Sequence, residues 1–298
     1  MCGIAGLFLK DPKLQGELGA LLAGMLATLS DRGPDSAGFA VYGAETPGAL
    51  KLTLRGPEGY DFARLARELE RATGTSIAHA ARDTHAVLAV SVAQEGAVRA
   101  ALDRIAPEVT VVSAGRRMEV FKEVGRPDRV AARFGLPGMS GTHAIGHTRM
   151  ATESAVTTDG AHPFTTGHDQ CLVHNGSLSN HNSVRRELMR EGLTFQTDND
   201  SEVAAGYITR RIREGMALRS ALEASLADLD GFFTFVVGTE SGFGVLRDPI
   251  ACKPAVMAET DHWVAFGTEY RALVDLPGVE AARVWEPEPA TVYQWERH

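Results

Sequence analysis

The chain has 298 residues, 44% hydrophobic and 23% charged, enough to bury a full core as one large domain or as a domain carrying an insertion. A formal net charge of −8 with no basic block argues against a nucleic-acid partner or an anionic membrane surface. Three cysteines at unrelated spacings, Cys2, Cys171 and Cys252, argue against a disulfide framework, and no apolar run is long enough to span a membrane.

Residues 2–9 form a short apolar run stopped by Asp11-Pro12, which suits a buried strand. The run has no basic segment before it and ends too soon for a signal peptide, so a mature N-terminus and a cytoplasmic protein are expected. Leu18, Leu21, Leu22, Met25 and Leu29 share one face of a helix over 15–29. A polar loop, Ser30-Asp31-Arg32-Gly33-Pro34-Asp35, ends it, and strands follow at 37–42 and 49–54.

From 56 to 139 the character changes. Phe62, Leu65, Ala66 and Leu69 mark an amphipathic helix, followed by a strand at 86–92, a helix at 97–105 and strands at 109–113 and 118–124. Strand–helix–strand–strand is half of a ferredoxin-like unit. An α+β subdomain at 56–140 is therefore expected, inserted between 2–55 and 141–298 of the main domain. Arg126-Pro127 and Leu136-Pro137-Gly138 read as its return linker. The helix at 97–105 covers one face of the subdomain's sheet, and the other face is expected to be free to dock a partner.

After Gly141, strands are expected at 142–149 and 170–174, and helices at 182–191, 200–213 and 216–226. Asn199 and Glu202 open the second of these helices at the spacing of a capping box. Residues 231–238 are apolar on both faces and belong in the middle of a sandwich. Strands near 244–247, 253–257, 263–266 and 291–295 close the chain. Many strands with no regular β–α alternation favour an α+β class of antiparallel layers.

Removal of Met1 would leave Cys2 carrying both a thiol and a free α-amine. These groups titrate near about 8.5 and about 7.7–8.0, so the amine can act as the base that activates the thiol. Cys2 could equally pack at the start of a buried strand. His143, His147, His162, His168, His174 and His181 raise the question of a metal. No His-Glu-x-x-His or paired-cysteine pattern accompanies them, so they read as packed or loop residues and no metal site is expected. Arg149 could be a surface ion pair, Asn175-Gly176 is a common turn dipeptide, and Asp200 suits a helix dipole.

Taken in order, however, the motifs resemble those of the class II glutamine amidotransferases, which are N-terminal nucleophile hydrolases. The matching stretches are Cys2-Gly3-Ile4, Arg32-Gly33-Pro34-Asp35-Ser36-Ala37-Gly38, Gly146-His147-Thr148-Arg149-Met150-Ala151-Thr152, His174-Asn175-Gly176 and Asp200-Ser201-Glu202. Arg247-Asp248-Pro249, Lys253-Pro254 and Gly267-Thr268-Glu269 are similar to the family's closing hairpins. The resemblance covers about 2–55 and 141–295. It implies a four-layer αββα sandwich of mainly antiparallel sheets and a Cys2 nucleophile attacking the side-chain amide of glutamine. It also implies an oxyanion hole from Asn175 and Gly176, with Arg149, Thr152 and Asp200 binding the amino-acid head of the substrate.

Two departures bear on substrate and partner. Hexosamine-forming members have Trp and His where this chain has Met150 and Glu153, which opens the alternative of another γ-glutamyl amide as substrate. No synthase is fused in this sequence. Together with the insertion, this resembles the free-standing amidotransferase subunit of N-methylglutamate synthase and of split glutamate-synthase-like systems. That resemblance implies a hetero-oligomer with a synthase subunit, no cofactor on this chain, and FMN and iron–sulfur clusters on the partners. A third alternative is a regulatory subunit that binds glutamate or glutamine with little turnover.

Overall fold

Strand β1 (Gly3–Leu9) is buried at every position because it lies in the middle of a sheet covered on both faces. The computed structural model describes residues 2–151 and 155–297. A 3₁₀ turn, Pro12–Glu17, leads from β1 into α1 (Leu18–Thr28), and β2 (Ser36–Tyr42) returns to the sheet. Next come β3 (Ala49–Arg55), α2 (Phe62–Thr73), β4 (Ala78–Arg82), β5 (His85–Ser91), α3 (Glu95–Ile105) and β6 (Thr110–Gly115). The chain re-enters the large sheet through β7 (Met118–Val124), α4 (Pro127–Arg133) and β8 (His143–Arg149). The second half runs β9 (Phe164–Gly167), β10 (Gln170–Leu178), α5 (His181–Arg190), α6 (Asp200–Arg213) and α7 (Leu218–Asp228). It ends with β11 (Gly231–Gly238), β12 (Gly242–Arg247), β13 (Val256–Glu259), β14 (Trp263–Gly267), β15 (Arg283–Trp285) and β16 (Val292–Glu296).

Seven strands, in the order β15-β13-β14-β1-β8-β2-β7, form one sheet, and five, in the order β16-β12-β11-β10-β9, form the other. Leu22 and Leu26 of α1, with Val130 and Phe134 at α4, pack on Leu7, Phe39 and Ala144 of the first sheet. Val184, Val203, Ile208 and Leu222 of α5–α7 pack on Leu172, Phe233, Phe235 and Val237 of the second. Ile4, Phe8, Ile145, Val173, Val236, Phe243 and Phe266 fill the space between the sheets. The result is a four-layer αββα sandwich of mainly antiparallel sheets, as the resemblance implies, and each fully buried Phe or Leu contributes about 1.5–3 kcal/mol of transfer free energy. The apolar run of β11 lies between β10 and β12, which explains why both its faces are apolar.

The strand pairings move the boundaries of the inserted unit away from 56 and 140. β3, assigned from sequence to the main domain, belongs to a separate four-stranded sheet in the order β4-β5-β3-β6. β7, assigned to the insertion, pairs with β2 from Ser36↔Val124 to Tyr42↔Met118. The physical cause is Asp169 at the β9–β10 turn. Its carboxylate accepts from the backbone N–H of Arg116 (2.7 Å), Arg117 and Met118 (both 2.9 Å), turning the chain out of the small sheet and into the large one. With β3 and α2 included, the unit is a complete β-α-β-β-α-β ferredoxin-like fold rather than half of one.

The middle of the small sheet's second face rests on the chain's own sandwich. Lys51 pairs with Glu119 of β7 at 2.7 Å, and the Thr53 hydroxyl accepts from the Val120 N–H at 3.4 Å. His85 packs edge-on against Phe134, with ring centroids 4.7 Å apart. β3 and β5 are thus covered by the chain's own sandwich, while the edge strand β4 stays exposed from Ala78 to Ala81. The expected return linker is also a helix in part. Pro127 occupies the first turn of α4, where its missing N–H costs nothing, and Val130 and Ala131 are buried. No helix among the described residues is long and apolar enough to cross a membrane.

The interior holds neutral histidines. Burial pushes His85 and His143 down to about 3, whereas an unfolded histidine titrates near about 6.5. Between those values the unfolded chain binds more protons than the folded one, so stability is full above about pH 6.5 and is lost as the pH falls toward 3. Each histidine contributes up to about 1.4 kcal/mol per pH unit over that window. The melting temperature is expected to be flat above neutrality and to drop steeply from about pH 6 to pH 4. Scanning calorimetry of His143→Gln should give a shallower acid limb than the parent chain.

Candidate active site

The end of β1 is fixed from three sides. Thr268 accepts from the Ile4 N–H through its hydroxyl at 2.8 Å and donates its own N–H to the Ile4 carbonyl at 3.0 Å. Gly3 and Ile4 stand opposite Thr148 and His147 of β8, which brings Cys2 beside Arg149 and Met150. The Cys2 thiol lies 3.9 Å from the Met150 carbonyl. Its own carbonyl accepts from Arg32 Nε at 3.2 Å and from Asn175 Nδ2 at 3.4 Å, and the Arg32 guanidinium is ion-paired with Glu269.

The loop after α1 braces the end of β8. A Cβ on Gly33 would sit 2.4 Å from the Thr148 carbonyl carbon, so only glycine lets the loop lie this close. Asp35 donates its N–H to the Arg149 carbonyl at 3.1 Å and accepts from the Ala151 N–H at 2.8 Å. Arg149 is buried, and its Nη1 donates to the Ala155 carbonyl at 3.3 Å.

The opposite wall comes from the second sheet and α6. Gly176 passes so close to β11 that a Cβ would lie 2.0 Å from the Phe232 carbonyl oxygen. Asn199 caps α6 by accepting from the Ser201 N–H at 2.9 Å. Glu202 does not complete the capping box. It reaches further back and takes the N–H groups of Gln196 and Thr197, both at 2.8 Å. Asp200 accepts from the Leu178 N–H at 2.9 Å and stands 3.7 Å from His174 Nδ1.

These elements border one cleft of about 670 Å³ that brings together Cys2, Arg149, Asn175, Gly176 and Asp200. Thr152 and Glu153, also singled out from sequence, lie outside the described residues. The cleft is also lined by side chains to which sequence reading gave no role, among them His162, His174, His181, Phe232 and Lys253. His147 and His162 stack at 3.9 Å. Burial pushes His147 down to about 3 and His162 well below its usual value. Burial lowers His174 as well, with Asp200 opposing the shift. These imidazoles are therefore neutral at physiological pH. Lys253 sits 5.1 Å over the Phe232 ring. His174 belongs to the His174-Asn175-Gly176 motif and lines the wall, while His147 stands behind it, its ring stacked on His162 and its Nε2 3.1 Å from the His174 carbonyl. Among the described residues no group of three or more His, Cys, Asp or Glu is arranged to hold a metal ion.

A model of the glutamine amidotransferase domain matches residues 147–275. The glutamine amidotransferase-like protein GlxB of Rhizobium meliloti (strain 1021) is 62% identical over 99% of this chain and 98% of its own length. A putative glutamine amidotransferase of Methanothermobacter thermautotrophicus is 35% identical over 99% of this chain and 100% of its own. The chain belongs to the class II glutamine amidotransferases. Among solved structures, the glutamine phosphoribosylpyrophosphate amidotransferase from B. subtilis aligns with a TM-score of 0.62 at 20% identity. That alignment covers 99% of this chain and 49% of the other, so this amidotransferase spans about half of that neighbour and shares its fold.

The three thiols of this amidotransferase differ in environment. Burial pushes Cys171 up to about 11, Cys252 is exposed and Cys2 is half-buried. Iodoacetamide at pH 8 should alkylate Cys252 and Cys2 while Cys171 stays unmodified until the chain unfolds. Peptide mapping by mass spectrometry reads this directly. Gly176→Ala should lower the melting temperature, since its Cβ has no space against Phe232, at a cost of about 1–3 kcal/mol.

Proposed function

We propose that this chain hydrolyses the side-chain amide of glutamine, releasing glutamate and ammonia, through a thioester on Cys2. The observation that carries this reading is that Cys2, Arg149, Asn175, Gly176 and Asp200, from four separate stretches, border a single cleft. With Met1 removed, the α-amine of Cys2 takes the thiol proton and sulfur attacks the amide carbon. The tetrahedral oxyanion is held by the Asn175 side-chain amide and the Gly176 N–H. Its collapse breaks the C–N bond, and the α-ammonium returns its proton to the leaving ammonia. Water then cleaves the thioester by the same route, giving glutamate and the free thiol.

Arg149 takes the substrate α-carboxylate in charge-assisted bonds, and Asp200 takes the α-ammonium. Asn175 Nδ2 rests on the Cys2 carbonyl at 3.4 Å, a long bond that a developing negative charge readily displaces. Free ammonia is mostly protonated at neutral pH and is then no nucleophile. The product is thus useful only beside an acceptor, which we assign to a synthase subunit of the N-methylglutamate or glutamate synthase kind. FMN and iron–sulfur chemistry would belong to such a partner.

Intact mass should show loss of Met1, and a glutamine analogue bearing a chloroketone should label Cys2 while sparing Cys171 and Cys252. Asn175→Ala should lower kcat by about 10²–10³-fold with a smaller change in KM. Arg149→Ala should act chiefly on KM. Labelling of Cys252 with Cys2 untouched, or full activity behind an uncleaved N-terminal tag, would refute the mechanism.

A further inference from the structure

Two stretches singled out in the sequence have so far received no catalytic duty: the loop containing Arg32, and Thr268-Glu269. They meet at Cys2. Arg32 Nε donates to the Cys2 carbonyl at 3.2 Å, and Glu269 holds the Arg32 guanidinium in an ion pair. Glu269 also engages Arg271, and the adjacent Thr268 brackets Ile4 with two backbone bonds. Cys2, Arg32, Glu269, Thr268 and Ile4 thus form a closed ring of contacts around the start of β1. The ring is partly buried, with Arg32 11% and Glu269 28% exposed at the side chain, so it is screened less than a surface pair.

We propose that Arg32, anchored by Glu269, is a positioning residue that holds the Cys2 carbonyl while Asn175 is drawn away to the oxyanion. The proposal rests on the glutaminase reading above. Two side-chain donors reach the Cys2 carbonyl, Arg32 at 3.2 Å and Asn175 at 3.4 Å. The amide of Asn175 is shared between that carbonyl and the cleft. When negative charge develops on the substrate oxygen, the charged acceptor wins the amide. The Cys2–Gly3 peptide plane, which sets the direction of both the thiol and the α-amine, then depends on Arg32. A fork fixed at one end by a carboxylate suits this task, because its Nε stays aligned when the second donor departs.

The test uses the full-length chain with Arg32→Gln, Glu269→Gln and the double variant. Four quantities are measured: kcat and KM for glutamine, the saturating rate of Cys2 labelling by the chloroketone analogue, the rate of Cys2 alkylation by iodoacetamide, and the melting temperature. Arg32→Gln should lower kcat and the saturating labelling rate on the order of 10²-fold, the cost of a misdirected nucleophile. KM should stay within about threefold, since the head-group contacts are intact. Iodoacetamide, which needs no alignment with the oxyanion donors, should react within about twofold of the parent rate. Glu269→Gln should shift the same quantities in the same direction by less, and the double variant should be no worse than Arg32→Gln.

An unchanged labelling rate in a folded Arg32→Gln chain overturns the proposal, and so does a defect confined to KM. If Arg32→Gln does not fold, Glu269→Gln decides: a folded chain with unaltered kcat refutes the clamp. Failure of the parent chain to label at Cys2 at all removes the glutaminase reading and the clamp together. Equal labelling of parent and Arg32→Gln removes the clamp alone.

Discussion

The structure depends on where one strand is held. β1 lies between β14 and β8, buried on both faces, and its first residues are bonded to partners more than 140 positions away in sequence. The first residues of a domain are poorly ordered unless they are tied down. Here the start of β1 is locked by strand pairing on both sides and by Thr268, so Cys2 is held almost as firmly as a core residue while it stays half-buried. The two sheets then set the distance between Cys2 on one layer and Asn175–Gly176 on the other. The cleft is therefore a property of the sandwich as a whole, and loops only finish it.

The part of this arrangement legible in the sequence is the part in which chemistry restricts residue type. Cys2, Arg149, Asn175-Gly176 and Asp200 could be picked out because few other side chains could serve in those positions, and their order along the chain matched a known pattern. Strand 231–238 is legible because its apolar run is short and bounded by glycines, and helix 200–213 because Asn199 marks its start. The pairing of strands was not. Whether β3 lies beside β2 or β5 depends on partners far away in sequence. The residue that decides where β6 ends and β7 begins is Asp169, which in isolation is one more polar turn residue. Glu202 was misjudged for a similar reason: the capping-box spacing was present, but the backbone N–H groups of Gln196 and Thr197 competed for the same carboxylate and won.

The wall of the cleft combines two kinds of polarity. Arg149 and Asp200 share the cleft wall with His162 and His174, with His147 behind them, and all three imidazoles are kept neutral by burial. Neutral imidazoles beside a cationic and an anionic group leave the local field to Arg149, Asp200 and Lys253. A low-dielectric backing of this kind strengthens every charged contact made in front of it.

The pairing of β2 with β7 places Tyr42 directly opposite Met118. The small fold between them is therefore an elaborated hairpin turn, entered and left through neighbouring positions. Because β3 and β6 are themselves adjacent, the folded unit presents its two ends side by side. Joining two strands across a long disordered loop carries an entropic cost that grows with the loop's length. A loop that has already folded, with its ends a strand-width apart, removes nearly all of that cost. For the large sheet, closing β2 onto β7 is then the closure of a short turn, and the sheet's edge can assemble as though the intervening residues were absent.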